Sequence, residues 1–445
     1  MPQSPSTGGF SRRAFIGGSG AAGLSLLLAA CSTGNGTGSG QGTSSGGGAL
    51  KFWNMPWGNT EFNVLDKKIT LAYKPGSGLP SASYQVIQWA NFTGTFSTAV
   101  ASNTGPAVSS GGGTQAFLYA SQGKIAYADH LLDTWKTNGL YNDFLPGVVS
   151  TMKTKAGYAA IPYNLDMRVL WYNQALFSKY DVQVPTDWDS YRTACAGLKK
   201  HGIYGYGSGS GAGNFTGSHV LVSHMINNGG GLFAADEQPN CVTPENIEAM
   251  DWVLGLVKDG YVDPACASYT AANVQAQYKA LKFGMGFDTG GLADNVGGTV
   301  GAGLQLASPL IGPSGKKGAL YFPNNIMMYT NTPSQQGTED FLTYYYKNMS
   351  PLWTENTGIG LPVLQSITKT KEFQANPINV KIINEWLPIS RVWGAPGSDT
   401  LFLNVTTADG TPAMTSFTQS ILGGSATAKE ALTTLQSALQ SASKS

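Results

Sequence analysis

Aromatic rings, amides and a small number of charged side chains are the groups through which this chain of 445 residues could act. It contains 10 tryptophans, 20 tyrosines and 18 phenylalanines, whereas only 12% of its residues are charged, about half of the ~25% usual in soluble proteins. Its four histidines and four cysteines form no C-x-x-C or H-x-x-x-H pattern, which argues against a structural zinc domain. The residue types therefore favour stacking and hydrogen bonding over metal chemistry.

Charge and hydropathy restrict the class of protein further. The formal net charge is +1, which excludes the basic footprint that nucleic-acid binding needs. No run of 18 apolar residues occurs, so no helix is predicted to span a membrane. With 42% hydrophobic residues, the chain is long enough to bury two sizeable cores. These values predict a large, nearly neutral and soluble protein.

Residues 1–30 have the pattern of an export signal. Arg12 and Arg13 precede a short apolar stretch and resemble a twin-arginine signal, although Gly17 stands where a lysine is common. Residues 28–31, Leu-Ala-Ala-Cys, resemble a bacterial lipobox, in which the cysteine is lipidated. We therefore expect a lipid on Cys31; the alternative is an ordinary signal peptide that is cleaved elsewhere.

Residues 31–48 consist almost entirely of glycine, serine and threonine and contain nothing that could form a core. A flexible coil of this length spans roughly 20–25 Å, so the segment is predicted to be a tether. The G-x-G-x-x-G match at residues 18–23 lies inside the export signal and follows no strand. It does not indicate a dinucleotide site.

Alternating strands and helices are predicted for residues 49–160. The candidate strands are residues 50–54, 84–89 and 106–109, and the candidate helices are residues 61–74 and 92–102. This alternation indicates βαβ units and a mostly parallel sheet. Ligands of such sheets bind beyond the carboxyl ends of the strands, which would place Trp57, Asn59 and the loop 111–115 on one rim.

A second series of elements begins near residue 158. Residues 159–162 and 169–172 are predicted strands, and helices are predicted to begin after the caps Thr186 and Thr243. Residues 425–442 are predicted to form a closing helix. The glycine-rich segment 205–213 lacks the lysine of a phosphate-binding loop and is expected to be a mobile surface loop. His219 and His224 are expected to be structural or surface residues.

Seven segments, taken in order, resemble the extracellular solute-binding proteins of carbohydrate ABC importers, the family that includes maltose-binding proteins. The most specific are GYAAIP at residues 157–162, VLWYN at 169–173 and VPTDWDSY at 184–191. Ala107 departs from the family pattern, which has aspartate there. The remaining segments are residues 52–54, 105–108, 283–286 and 428–432.

The resemblance implies an α/β fold of the two-lobed periplasmic-binding-protein-like type (type II), in which each lobe is a mostly parallel sheet flanked by helices. Residues 49–160 plus 295–335 would form lobe 1, and residues 163–290 plus 340–445 would form lobe 2. Strands that cross near residues 161–162, and again near 290–315, would form the hinge. The ligand would lie in the cleft between the lobes, which close on it by a hinge motion.

The resemblance also implies a sugar ligand. Aromatic faces suit the apolar side of a sugar ring, while amides, carboxylates and arginine suit its hydroxyls. Asp166 and Arg168 could instead form a simple surface ion pair, and Trp53, Trp171 and Trp188 are expected in the core. The side chains expected to bind ligand are Trp57, Asn59, Thr114, Gln115, Asp166, Arg168, Asn214, Phe215, Asp288, Trp353, Arg391 and Trp393.

The predicted function is that of a non-enzymatic, monomeric receptor, lipid-anchored outside the bacterial cell membrane, which delivers a mono- or oligosaccharide to the membrane permease of an ABC importer. No cofactor, metal or nucleic acid is expected. A secreted glycoside hydrolase is one alternative, but it needs two acids and Asp166 alone stands out. A binding lipoprotein for a non-sugar solute is another. Cys195, Cys241 and Cys266 allow one disulfide, with Cys241–Cys266 the favoured pair.

Overall fold

The computed structural model describes residues 48–89, 92–355 and 357–444. The export signal, Cys31 and nearly all of the tether lie outside the described residues. The chain divides into two units, Met1–Gly46 and Gly47–Ser445, and the described strands and helices all belong to the second. Within the described part, the helices are all too short or too polar to cross a membrane.

The described strands form two sheets, and most of them are short. The strands are β1 (Leu50–Asn54), β2 (Ala82–Val86), β3 (Val108–Gly111), β4 (Ile161–Met167), β5 (Val169–Asn173), β6 (Met285–Asp288), β7 (Leu304–Leu306), β8 (Ala319–Met328), β9 (Leu361–Pro362) and β10 (Ser390–Arg391).

Helices cover both sheets and connect their strands. The first nine are α1 (Thr60–Leu71), α2 (Phe92–Ala101), α3 (Gln115–Ser121), α4 (Asp129–Asn138), α5 (Gln174–Lys179), α6 (Trp188–Lys199), α7 (Thr216–Asn227), α8 (Pro244–Lys258) and α9 (Ala271–Lys279). The others are α10 (Leu292–Val296), α11 (Gly298–Ala302), α12 (Gln335–Asn348), α13 (Pro351–Thr354), α14 (Gln365–Thr368), α15 (Lys371–Gln374), α16 (Pro377–Lys381), α17 (Pro412–Leu422) and α18 (Ala428–Ala442). Short 3₁₀ turns span Leu140–Asp143, Val149–Met152, Pro264–Ser268, Leu387–Ile389 and Leu403–Thr407, and a π turn spans Ile382–Trp386.

The large sheet has the strand order β2-β1-β3-β8-β4-β9, with β10 added beside β8. Strands β2, β1 and β3 are parallel, which confirms the βαβ units predicted for this part. Strand β2 ends at Val86, three residues earlier than expected. Its partner β1 ends at Asn54, and the last backbone hydrogen bond between the two runs from Ile87 N to Asn54 O. Trp89 therefore lies in the loop beyond the strand.

The small sheet has the order β6-β5-β7, and β5 is antiparallel to both neighbours. It therefore differs from the expected mostly parallel sheet. Helices α10 and α11 join β6 to β7, so these two strands run in the same direction on either side of β5. Strand β5 follows β4 in the chain and runs antiparallel to both of its neighbours.

The chain passes from the large sheet to the small one at a single residue, Arg168, between β4 and β5. A crossing was expected near residues 161–162; Arg168 lies six residues further along, since Ile161 and Pro162 pair with β8 inside the large sheet. The second crossing lies between Leu306 and Ala319, at the end of the expected range.

Three elements pack with a sheet other than the one expected from the predicted lobe boundaries: α12, β9 and β7. Helix α12 belongs with the large sheet, because Tyr345 bonds Asp66 of α1 (2.6 Å) and Tyr346 bonds Pro162 of β4 (2.7 Å). Strand β9 also pairs with β4. Strand β7, expected in lobe 1, pairs with β5 of the small sheet. The last helices, α17 and α18, pack on α7 and α8, respectively.

Three local predictions at helix ends and in the glycine-rich segment can be compared with the structure. Thr243 caps α8 as predicted. The cap of α6 is Asp187 rather than Thr186, because Asp187 and Ser190 form a reciprocal capping box. Residues 205–211 are buried, so the expected surface loop is wrong. The reason is close backbone packing: a Cβ on Gly286 would lie 2.3 Å from the Gly207 carbonyl oxygen.

The three described cysteines are free and buried. The pairing of Cys241 with Cys266 is therefore wrong. The Cys241 thiol contacts the Leu232 carbonyl at 3.7 Å, and the Cys266 thiol contacts that of Tyr206 at 4.0 Å. Burial raises the pKa of both thiols to about 12. These side chains act as small apolar core residues.

Candidate functional site

The carboxyl ends of β1, β2 and β3 carry side chains onto one edge of the large sheet. Trp57 follows β1, and its indole nitrogen donates to Asn54 Oδ1 (3.1 Å) and Ser110 Oγ (3.0 Å). Gln115 follows β3 at the start of α3. The loop 111–115 and Trp57 are thus on the same rim, as the strand pattern predicts.

A buried carboxylate, that of Asp66, fixes the side chain of Asn54 at this rim. Asp66 accepts hydrogen bonds from Asn54 Nδ2 (2.5 Å) and the Tyr345 hydroxyl (2.6 Å). Burial raises the pKa of Asp66 to about 6, although the bonds from Tyr345 and Asn54 oppose this. Because the amide of Asn54 is held at Nδ2, its Oδ1 is fixed toward the indole of Trp57.

Three buried amide atoms near the same edge have no hydrogen-bond partner among the described residues: Gln115 Oε1, Asn325 Oδ1 and Asn164 Nδ2. Asn325 of β8 pairs in register with Gly111 of β3, and a Cβ on Gly111 would lie 2.9 Å from Gln115 Oε1 and 3.5 Å from Asn325 Oδ1. An unsatisfied buried polar group costs about 1–3 kcal/mol. This arrangement is suited to a ligand that supplies both donors and acceptors.

Asn164, Asn324 and Asn325 were absent from the sequence-based candidates. Asn324 donates to Asn164 Oδ1 at 2.9 Å across the β4–β8 pair. The signal that could have found them is the pair of adjacent asparagines inside an otherwise mostly apolar strand, since β8 is buried along its whole length. Buried polar residues in a strand need a reason.

A second group of polar residues surrounds the crossing at Arg168, which is 6% exposed. Arg168 Nη1 donates to Asp166 Oδ2 at 2.7 Å, and Nη2 lies 2.8 Å from His219 Nδ1. The guanidinium stands over the ring of Phe322, 5.0 Å from its centre. The ion pair with Asp166 thus exists, but its arginine is buried rather than on the surface.

His219, on α7, extends this group to the C-terminal part of the chain. Its Nε2 lies 3.0 Å from Asp409 Oδ1. Burial lowers the pKa of His219, and the nearby Arg168 charge lowers it further, against the opposite effect of Asp409. The expectation of a structural histidine is correct for His219, which bonds Arg168 and also Asp409, 190 positions further along the chain.

Asp288 and Trp393 complete the group around Arg168. Burial raises the pKa of Asp288 to about 6; Asp166 raises it further, whereas Arg168 lowers it. These charges are therefore close enough to interact. Trp393 is 2% exposed, packs against His219 and Phe322, and its indole nitrogen has no partner among the described residues.

Two of the expected binding side chains make local structural contacts. Asn59 caps α1 by accepting from Phe62 N (3.3 Å). Asn214 is buried and bonds Tyr269 O (3.0 Å) and Thr216 N (3.1 Å). The side-chain oxygen of each amide therefore has a local role, and Asn214 also uses its nitrogen.

The four other expected residues lie in different surroundings. Trp353 donates to Gly360 O (2.6 Å) and packs on the edge of Tyr163. Arg391, on β10, is half-exposed and lies 3.8 Å from Asp399. The remaining two are Phe215, exposed before α7, and Thr114, which precedes α3 without a side-chain cap. The core positions of Trp53, Trp171 and Trp188 are confirmed.

Known proteins share this arrangement of elements. The family model for bacterial extracellular solute-binding proteins matches residues 65–350. The chain belongs to this family. The solute-binding protein is similar to a sugar transporter from Arthrobacter chlorophenolicus A6 solved with bound laminaribiose: the two are 48% identical, the match covers 88% of this chain and 99% of that one, and the TM-score is 0.80.

More distant relatives support the same fold. The maltose-bound MalE3 protein of T. maritima is 14% identical, with a TM-score of 0.70 over 89% of this chain and 100% of that one. A putative binding protein of Brucella abortus (strain 2308) is 23% identical over 73% of this chain and 78% of its own. The two-lobed type II fold expected for the solute-binding protein is therefore confirmed. Within the described residues, no group of three or more His, Cys, Asp or Glu side chains is arranged to hold a metal ion.

Proposed function

We propose that this solute-binding protein captures a neutral mono- or oligosaccharide between its two sheets and delivers it unaltered to the permease of an ABC importer. The observation that carries this proposal is the set of buried amides at the edge of the large sheet, Gln115, Asn164 and Asn325, whose donor and acceptor atoms have no partner among the described residues. Trp57 lies on the same edge. Sugar hydroxyls both donate and accept, and sugar rings stack on aromatic faces.

The charges near Arg168 support a ligand without net charge. The two Nη atoms of the arginine are already hydrogen-bonded to Asp166 and His219. Nε2 of the histidine is in turn hydrogen-bonded to Asp409. A charged ligand would have to compete with these partners in a buried place, which is costly. Asp166 keeps its side chain 34% exposed, so its free oxygen can accept from a hydroxyl.

The first probe is the sugar bound by the relative from Arthrobacter chlorophenolicus A6. Titration calorimetry of the purified protein with laminaribiose and with maltose is expected to give heat of binding. Thermal unfolding of the same mixtures should show a raised melting temperature. Asp166→Asn should weaken binding about ten- to a hundredfold, since a lost charged hydrogen bond costs about 1–3 kcal/mol. The matched control is Asp251→Asn, at an exposed position on α8, which should bind as the wild type does.

The same samples test the alternatives. Release of glucose during incubation, lost in Asp166→Asn, would identify a glycoside hydrolase, because Asp166 and Asp288 would then act as the required pair of acids. Binding of a peptide or osmolyte with no response to either sugar would identify a receptor for a non-sugar solute. Binding without product supports the receptor function.

We also propose that the protein is anchored outside the cell membrane by a lipid on Cys31. The support is in the sequence, where residues 28–31 precede a tether that could hold the folded part away from a surface. Cells that express the wild type and Cys31→Ala should be labelled with a fatty-acid analogue. Label in the wild type alone, with the variant released from the membrane fraction, is the expected result.

A further inference from the structure

We propose that Trp89 forms an outer subsite for a third ring of a linear, neutral oligosaccharide. The proposal rests on the proposed sugar-binding function and adds a chain length to it. Trp89 lies beyond the carboxyl end of β2, in the loop where the strand has lost its partner. It was not among the sequence-based candidates, since it was expected inside a strand.

The strand order places Trp89 in line with the candidate site. Strands β3, β1 and β2 are neighbours in that order, and their carboxyl ends are followed by Gln115, Trp57 and Trp89, respectively. The rings of Trp57 and Trp89 are 4.8 Å apart between centres, about the spacing of neighbouring strands. A chain of sugar rings that runs along this edge would pass the amides first, then Trp57, and finally Trp89.

Contacts fix the ring of Trp89 before any ligand arrives. Its indole nitrogen donates to Pro56 O at 3.1 Å. Its ring meets Trp57 at 87° and Phe92 at 77°, with centres 4.8 and 5.6 Å away. A side chain that is already ordered loses little entropy on binding.

The surface that Trp89 presents suits a sugar ring. Trp89 is 41% exposed, and because the only polar group of its side chain is already bonded to Pro56, the exposed part of that side chain is apolar and aromatic. A pyranose has an apolar face that stacks on such a surface, and no charge is needed. The two rings of a disaccharide would occupy the part of the edge between Gln115 and Trp57, so Trp89 would contact only a longer chain.

The test compares chain lengths in one titration series. The wild type, Trp89→Ala and Trp89→Phe are titrated with laminaribiose and laminaritriose, and in parallel with maltose and maltotriose. The wild type should bind the better trisaccharide about three- to tenfold more tightly than its disaccharide, the gain expected for one stacked ring. Trp89→Ala should lose this gain while its disaccharide affinity stays within about twofold, and Trp89→Phe should keep most of it. Tyr127→Ala, at another exposed aromatic position, is the control.

Each other outcome overturns the subsite in a distinguishable way. Equal affinities of the wild type for two and three rings would contradict it, while the sugar-binding function would stand. Equal losses for both chain lengths in Trp89→Ala would show that Trp89 only supports Trp57. No binding of any of the four sugars to the wild type would remove the proposed function and the subsite together.

Discussion

Nη2 of Arg168 and Nδ1 of His219 are 2.8 Å apart and join the crossing between the two sheets to helix α7. A guanidinium only donates and stays protonated, so Nδ1 must be the acceptor. The proton of the neutral imidazole is therefore on Nε2, where it is donated to Asp409. One contact thus determines both the tautomer of His219 and the direction of the second bond.

Removal of the acceptor at His219 should destabilise the protein. His219→Phe would leave Nη2 of the buried Arg168 without a partner, which should lower the free energy of unfolding by about 1–3 kcal/mol. His219→Asn places an oxygen near the position of Nδ1 and should lose clearly less. Urea unfolding at neutral pH measures both; equal losses would show that the hydrogen bond contributes nothing.

Asp66 should give stability an unusual dependence on pH. Its pKa is about 6 in the folded protein against 3.8 for an ordinary aspartate, so between these values the folded state binds more protons than the unfolded one. The contribution of Asp66 is therefore favourable below pH 4 and is lost as the pH rises through 6. A difference of about two pH units corresponds to roughly 3 kcal/mol.

The variant Asp66→Asn isolates this effect. The free energy of unfolding of the wild type, relative to the variant, should fall between pH 4.5 and pH 7.5, because only the wild type has a carboxyl to ionise there. The exposed Asp251→Asn should run parallel to the wild type. A constant difference between the wild type and Asp66→Asn would mean that Asp66 keeps an ordinary pKa.

The close approach of Gly207 and Gly286 should tolerate no side chain. A Cβ on Gly286 would lie 2.3 Å from Gly207 O and 2.6 Å from its Cα, and neither backbone can move without disrupting the sheet. Gly286→Ala should cost more than about 2 kcal/mol. Gly94→Ala, in helix α2 with open space around it, should instead stabilise by up to about 1 kcal/mol. Melting temperatures that change in the same direction would contradict this packing.

The buried thiols should not react with thiol reagents in the folded protein. Burial raises the pKa of Cys241 and Cys266 to about 12 and also raises that of Cys195, so little thiolate forms at neutral pH. In the Cys31→Ala variant, which keeps only these three cysteines, Ellman's reagent should therefore react with none of them until denaturant is added. Rapid reaction in buffer alone, or an intact mass that lacks two hydrogens, would refute buried free thiols.

The elements that the sequence predicts correctly are those with strong local signals. Strand β1, helix α1 and the cap at Thr243 depend on hydrophobic period and capping residues within one short stretch. The small sheet was harder to predict, because its strands have three to five residues and their direction depends on how the chain returns between them.

The candidate site was predictable where its residues follow a strand end or stand close together in the chain, as Asp166 and Arg168 do. Trp57 and Gln115 come directly after strands, and the alternation of elements places them on one rim. The link from Arg168 to His219 and on to Asp409 was not predictable in the same way, since His219 is 51 residues from Arg168 and Asp409 is 190 residues from His219. Asn164 and Asn324 meet only through the register of β4 and β8, which no local pattern specifies.

Strand β8 lies between β3 and β4 and is buried along all ten residues. Its partner β3 precedes it by about two hundred positions, so the centre of the large sheet closes only after most of the polypeptide has emerged from the ribosome. A fragment truncated before residue 319 would leave the edges of β3 and β4 bare, and bare edges recruit other chains. This N-terminal fragment should consequently form inclusion bodies when it is produced alone, and a split-protein reporter should place its break after β8.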